Sequence, residues 1–155
     1  MNDPELYGMA TTVVAAYFDH DDLYVINVGD SRAYKISDDV ITQLSEDHSY
    51  VNELIKAGEI TEEEARSHPK KNVITRAIGV DSSTEPDFFK VDVKDGDCIL
   101  LCSDGLHGEL TNDVIKDIVL STGDSNKACK KLVKMANNHG GSDNVTVVLL
   151  KVKRK

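Results

Sequence analysis

Two aspartates stand at the ends of apolar runs. Asp104 follows Cys98-Ile99-Leu100-Leu101-Cys102, and Asp143 precedes Val145-Thr146-Val147-Val148-Leu149-Leu150. Each sits among small residues, as Ser103-Asp104-Gly105 and Gly140-Gly141-Ser142-Asp143-Asn144. Glycine lets the backbone approach closely, and a carboxylate at a strand end offers the oxygen donors that a hard metal ion takes. Two such carboxylates at neighbouring strand ends repel each other. A divalent cation removes that repulsion and can activate a water. Alone, an Asp-Gly pair reads as a turn and a Gly-rich stretch as a loop. Both together, each abutting an apolar strand, point to a site.

Further polar residues fall between the predicted elements. Asp30, in Gly29-Asp30-Ser31-Arg32, reads as structural: it pairs with Arg32 or caps backbone amides. Asp47, in Glu46-Asp47-His48-Ser49, either caps a helix or reaches a metal from outside the main pair. His48 and His68 read as surface or capping histidines. Arg76, in Thr75-Arg76-Ala77-Ile78-Gly79, either binds phosphate or pairs with an acid. Asp92-Val93-Lys94-Asp95-Gly96-Asp97 lacks the spacing and closing Glu of a calcium loop.

These residues need a scaffold, and 155 residues suit one domain. Composition, 40% apolar and 29% charged, is that of an ordinary soluble globular chain. The net charge of −9 argues against broad nucleic-acid binding and against anionic membranes. The basic run Lys151-Val152-Lys153-Arg154-Lys155 reads as a solvated tail. No apolar stretch approaches the roughly 20 residues of a membrane span, and no signal peptide is visible in residues 1–15. Cys98 and Cys102 point to one face of a strand, at a spacing that is wrong for a zinc knuckle. They read as buried reduced thiols, which suggests the cytoplasm.

Strands are expected at Thr11–Phe18, Leu23–Val28, Arg32–Ile36 and Val40–Leu44, forming two hairpins in one antiparallel meander. Asp21 and Asp22 read as turn residues. Helical spacing then runs from Tyr50 to Ala57. Thr61-Glu62-Glu63-Glu64 is a capping box that opens a short helix, ended by His68-Pro69. This polar helical stretch, about 47–72, reads as an insertion covering a site. Strands resume near Val73–Thr75 and at Phe88–Val93, where Asp95-Gly96 marks a hairpin into Cys98–Cys102. Thr111 and Ser125 cap two further amphipathic helices, and a last strand closes the chain.

The ordered motifs resemble those of the metal-dependent protein serine/threonine phosphatases, type 2C, of bacterial type. They are Ala10-Thr11-Thr12, Gly29-Asp30-Ser31-Arg32-Ala33-Tyr34, Asp47-His48-Ser49, Thr75-Arg76-Ala77-Ile78-Gly79, Leu101-Cys102-Ser103-Asp104-Gly105-Leu106 and Ser142-Asp143-Asn144-Val145-Thr146-Val147. The resemblance implies an α+β fold, a layered sandwich of two antiparallel sheets flanked by helices (αββα). It implies hydrolysis of phosphoserine and phosphothreonine by a metal-bound water. It implies a Mn²⁺ or Mg²⁺ pair, with a third, weaker ion beside the counterpart of Asp104. By resemblance Asp104 and Asp143 are metal ligands, and Asp47 helps hold the third ion. The stretch 48–72 matches the family's substrate-bordering flap, with His68 in it, and Arg76 matches a family arginine; both are expected near substrate.

The resemblance covers nearly the whole chain as one domain, yet the family's motifs begin upstream of Ala10. An early phosphate-gripping arginine, a Glu-Asp element and an Asp-Gly-x-Gly-Gly segment are not found here. The chain therefore reads as the C-terminal part of a catalytic domain, incomplete at its N-terminus. On its own it is expected to be poorly active and prone to dimerise or exchange strands. The expected partner is a phosphoprotein, such as a serine/threonine kinase or its targets. The alternative is a non-catalytic, phosphatase-like binding or regulatory module.

Overall fold

The computed structural model describes residues 8–20 and 22–153. Strands β1 (Val13–Asp19) and β2 (Asp22–Val28) form an antiparallel hairpin, in which Ala15 faces Ile26 and Tyr17 faces Tyr24. On its other edge β2 pairs with β5 (Asp87–Asp92), which completes a three-stranded sheet. Strands β3 (Arg32–Ser37) and β4 (Val40–Gln43) form the second hairpin, in a different sheet. That sheet runs β4-β3-β6-β7, where β6 is Cys98–Cys102 and β7 is Val147–Lys151.

Strand alternation sorts the side chains into layers. Leu23 and Val25 of one sheet meet Ala33 and Ile99 of the other, with Val14, Ala16, Phe89 and Val91 around them. Tyr34, Ile36, Cys98, Leu100 and Cys102 point to the opposite face of the four-stranded sheet. There they pack on helices α3 (Asp104–His107), α4 (Asn112–Ser121) and α5 (Ser125–His139), through Leu106, Ile115, Ile118, Leu132 and Ala136. Among the described residues, neither core cluster sets a helix on the outer face of the three-stranded sheet. Tyr17 and Phe88 there are 63% and 69% exposed.

The α+β sandwich is as expected, but four details differ. The first four strands are two hairpins on two sheets, not one meander. The link Gly29-Asp30-Ser31 crosses between the sheets, and Gly29, at φ 103°, lies so close to Thr12 that a Cβ there would be 2.3 Å from its Cγ2. Asp95-Gly96 also crosses between sheets and does not close a hairpin. The Asp97 carboxylate, 1% exposed, accepts from the Lys94 amide and Gly96 N–H donates to the Val152 carbonyl, tying this link to the chain beyond β7. The stretch Val73–Thr75 is no strand. Ile74 forms an isolated bridge with Ser49, while Tyr50 N–H donates to the Val73 carbonyl and Thr75 N–H to that of His48. Asp124, not Ser125, caps α5, its side chain accepting from Lys127 N.

The stretch 47–72 carries α1 (Tyr50–Lys56) and α2 (Glu62–Ser67). Ser49 caps α1, and the Thr61–Glu64 capping box closes reciprocally at the start of α2. Asp22 opens β2 and pairs with Lys90; Asp21, Arg154 and Lys155 lie outside the described residues. Cys98 and Cys102 are free and buried, and burial pushes the Cys102 thiol up to about 12. No helix of the described residues is long and apolar enough to cross a membrane.

Candidate active site

Asp104 begins α3 at the end of β6, and Asp143 lies in the loop before β7. These strands are neighbours, with Cys102 opposite Val147. The Ser103 hydroxyl ties the two strand ends together, donating to the Asn144 carbonyl (3.0 Å) and accepting from Thr146 N–H (2.9 Å). Ser103 is therefore occupied with backbone and is not placed as a nucleophile. Gly105 carries the close approach: a Cβ at this position would lie 2.5 Å from the Asn144 carbonyl oxygen. Glu109 accepts from the Ser142 amide and hydroxyl, which steadies the loop from its other side.

Both aspartates open into one cleft of about 370 Å³, whose wall also includes Asp30, Asp47, His107, Arg66, Lys71 and Asn72. The Asp104 carboxyl is held above its ordinary value, first by burial and then by the charge of Asp143. The Asp30 carboxyl is pushed up to about 6, first by burial and then by Asp104. Asp30, Asp104 and Asp143 thus lie in one cleft, where burial and mutual repulsion both disfavour their charged forms. His107, half-buried in the cleft wall, donates from Nε2 to the Asp30 carbonyl at 2.9 Å, and desolvation pushes its imidazole down to about 4. It is neutral at physiological pH.

The other expected site residues take different places. Asp47 lines the cleft, but its carboxylate accepts from Arg32 Nε and Nη2 and from Gln43 Nε2, at 2.6–3.0 Å. Arg76 lies outside the cleft wall and donates to Asp87 Oδ1 at 2.7 Å and to the Glu85 carbonyl. His68 is also outside it; it caps α2, packs on Tyr50 at 5.9 Å between ring centroids, and accepts from Lys70 N–H. The cations that do face the cleft from the 47–72 stretch are Arg66 and Lys71.

The sequence reading missed Asp30 as a cleft residue. Its signal was present: an aspartate beside glycine, just past an apolar strand, as at Asp104. His107, three residues beyond Asp104, was not singled out. It ends the one-turn helix α3, from where its ring reaches the Asp30 carbonyl.

The oxygen donors of Asp30, Asp104 and Asp143 are of the kind that a hard divalent cation takes. Among the described residues, no group of three or more His, Cys, Asp or Glu is assembled to hold an ion alone.

A pH effect follows with a definite sign. The Asp30 carboxyl binds its proton more tightly folded, near 6, than its ordinary value of 3.8. The folded state therefore loses stability as pH rises from about 4 to about 6, by about 1–2 kcal/mol once water access is discounted. His107 acts oppositely, since its proton is excluded on folding. Metal-free Asp30→Asn is therefore expected to gain stability relative to the parent as pH rises through this window, measured by urea unfolding. A pH-independent difference contradicts the assignment.

Residues 3–145 match the family model "Protein phosphatase 2C". A serine/threonine phosphatase stp of Listeria innocua is 42% identical over 149 residues, which is 96% of this chain and 59% of that relative. The crystal structure of the serine/threonine phosphatase Stp1 from Staphylococcus aureus superposes with a TM-score of 0.93 at 37% identity, covering 98% of this chain and 60% of that one. The catalytic domain of the phosphatase PstP, solved with two manganese ions, gives 0.88 at 35% identity, covering 98% and 63%. The chain thus spans about three-fifths of the length of these relatives. With two sheets stacked, strand-end aspartates facing one cleft and a family match over most of its length, the chain belongs to the protein phosphatase 2C family.

Proposed function

We propose that this chain is the metal-binding and substrate-facing part of a protein serine/threonine phosphatase. The observation that carries this is the convergence of Asp104 and Asp143 on one cleft, where Asp143 helps raise the Asp104 carboxyl. Asp104 and Asp143, with Asp30 beside them, would hold Mn²⁺ or Mg²⁺. Such ions neutralise phosphoryl charge and lower the pKa of water. A third ion beside Asp104 would draw on Asp30, because the Asp47 carboxylate is already taken by Arg32 and Gln43.

The chain's own residues supply the rest. Arg66 and Lys71, on the 47–72 stretch, give the acidic cleft a cationic rim suited to a phosphorylated side chain. That stretch serves as the substrate-bordering flap, in which His68 props Tyr50; Arg76, just past it, holds Asp87, which bonds His48 at the flap's base. Neutral His107 holds the Asp30 carbonyl, and Ser103 holds the Asp104 and Asp143 strand ends in register.

The test is phosphate release from a phosphothreonine peptide by the chain with Mn²⁺. Slow, Mn²⁺-dependent release is expected, with Asp104→Asn losing about 100-fold or more. Release that ignores Mn²⁺ or this substitution contradicts the proposal. Two exposed aromatics, Tyr17 and Phe88, and the strands β1 and β5, which are sheet edges among the described residues, support self-association of this chain. Light scattering is expected to show a mass that rises with concentration. A constant monomer mass overturns that part.

A further inference from the structure

His48 is not needed as a metal ligand or proton donor in this reading, yet it is 5% exposed and fully bonded. Gly29 N–H donates to its Nδ1 at 3.0 Å. An amide can only donate, so Nδ1 carries no proton and the neutral ring holds its proton on Nε2. Nε2 lies 3.0 Å from Asp87 Oδ2, and Asp87 Oδ1 accepts from Arg76 Nη1 at 2.7 Å. The backbone repeats the link, since His48 N–H donates to the Gly29 carbonyl at 3.0 Å.

The far end of this chain of bonds is the Gly29-Asp30 turn. Asn27 Nδ2 donates to the same Gly29 carbonyl, and His107 grips the Asp30 carbonyl from the other side. Gly29 has φ 103° and no room for a Cβ, so its own position is held through its backbone, while the Ser31 hydroxyl bonds that of Thr12 at the far side of the turn. The Gly29 amide is the hold on the peptide directly before Asp30, and His48 is its side-chain partner.

We propose that His48 is a positioning residue: its unprotonated Nδ1 fixes the Gly29 amide and thereby aims the Asp30 carboxylate into the cleft, while Asp87 and Arg76 set which ring nitrogen accepts. Arg76 and Asp87 then act on the cleft from outside it. The Asp87 carboxyl agrees with this role, held below its ordinary value first by its bond to His48 and then by Arg76. The inference rests on the reading that Asp30 serves the cation site.

Two near-isosteric variants separate positioning from simple packing. Asn at this position offers an acceptor where Nδ1 stands and drops the Asp87 contact. Gln reaches Asp87 and drops the Gly29 contact. In the full chain, the ¹⁵N spectrum of the His48 ring is expected to show an unprotonated Nδ1 and a protonated Nε2. Mn²⁺ titration is expected to give His48→Asn an affinity close to the parent's, and His48→Gln one about tenfold weaker or worse. The Asp30 amide ¹⁵N shift, read without metal, is expected to move more in His48→Gln than in His48→Asn. A protonated Nδ1, or equal Asp30 shifts in the two variants, overturns the inference. If the parent chain itself binds no Mn²⁺, the cation-site reading fails while the ring spectrum and Asp30 shifts still judge His48.

Discussion

Replacing Arg32 by methionine is expected to destabilise the fold by about 3 kcal/mol, the lower end for breaking a buried ion pair. Asp47 is 9% exposed and Arg32 22%, and the guanidinium meets the carboxylate through Nε and Nη2. Arg32 Nη1 also donates to the Tyr34 hydroxyl, at 3.0 Å, on the helix-facing side of the sheet. Removing the guanidinium leaves a buried carboxylate with Gln43 alone and takes a partner from a fully buried tyrosine. The pair joins β3 to the entry of α1, where Asn52 donates to the Asp47 carbonyl, so the flap base loosens with it. Urea unfolding checks the loss, and Asp47→Leu added to Arg32→Met should recover much of it. A loss below about 1 kcal/mol would show that water already screens the pair.

The second large effect lies in the site's spacing. Gly105→Ala puts a methyl 2.5 Å from the Asn144 carbonyl oxygen and 3.3 Å from that of Asp143. Both obstacles are backbone, so the strand end of Asp104 and the loop of Asp143 must part. About 1–3 kcal/mol of stability is expected to go, and Mn²⁺ affinity to fall by about tenfold or more. The residue's charge and hydrogen bonds are unchanged, so the affinity loss reads the distance between the two aspartates. Calorimetric titration that finds parent-like binding would mean that the approach of the strand ends is not what makes the site.

Much of this was legible because the aspartates abut unambiguous apolar strands. Cys98–Cys102 and Val147–Lys151 pair as neighbours, and an aspartate at the open end of each has little choice but to share a cleft. The capping box at Thr61 and the stop at His68-Pro69 were local and read correctly. Strand partners were not local. A Gly29-Asp30 or Asp95-Gly96 link looks alike whether it closes a hairpin or carries the chain to another sheet. What decides it is burial of Leu23, Val25, Ala33 and Ile99 between sheets, a matter of the whole fold. The same blindness affected Asp30: Arg32, two residues on, looked like its partner, but Arg32 reaches fifteen residues further to Asp47.

The most direct test of the central claim is calorimetric titration of Mn²⁺ into the metal-free chain and its Asp104→Asn, Asp143→Asn and doubly substituted forms. If the two carboxylates hold one cation cluster, each single substitution removes most of the affinity and the double removes little more. If either single variant binds like the parent, or the two losses simply add, Asp104 and Asp143 do not share an ion.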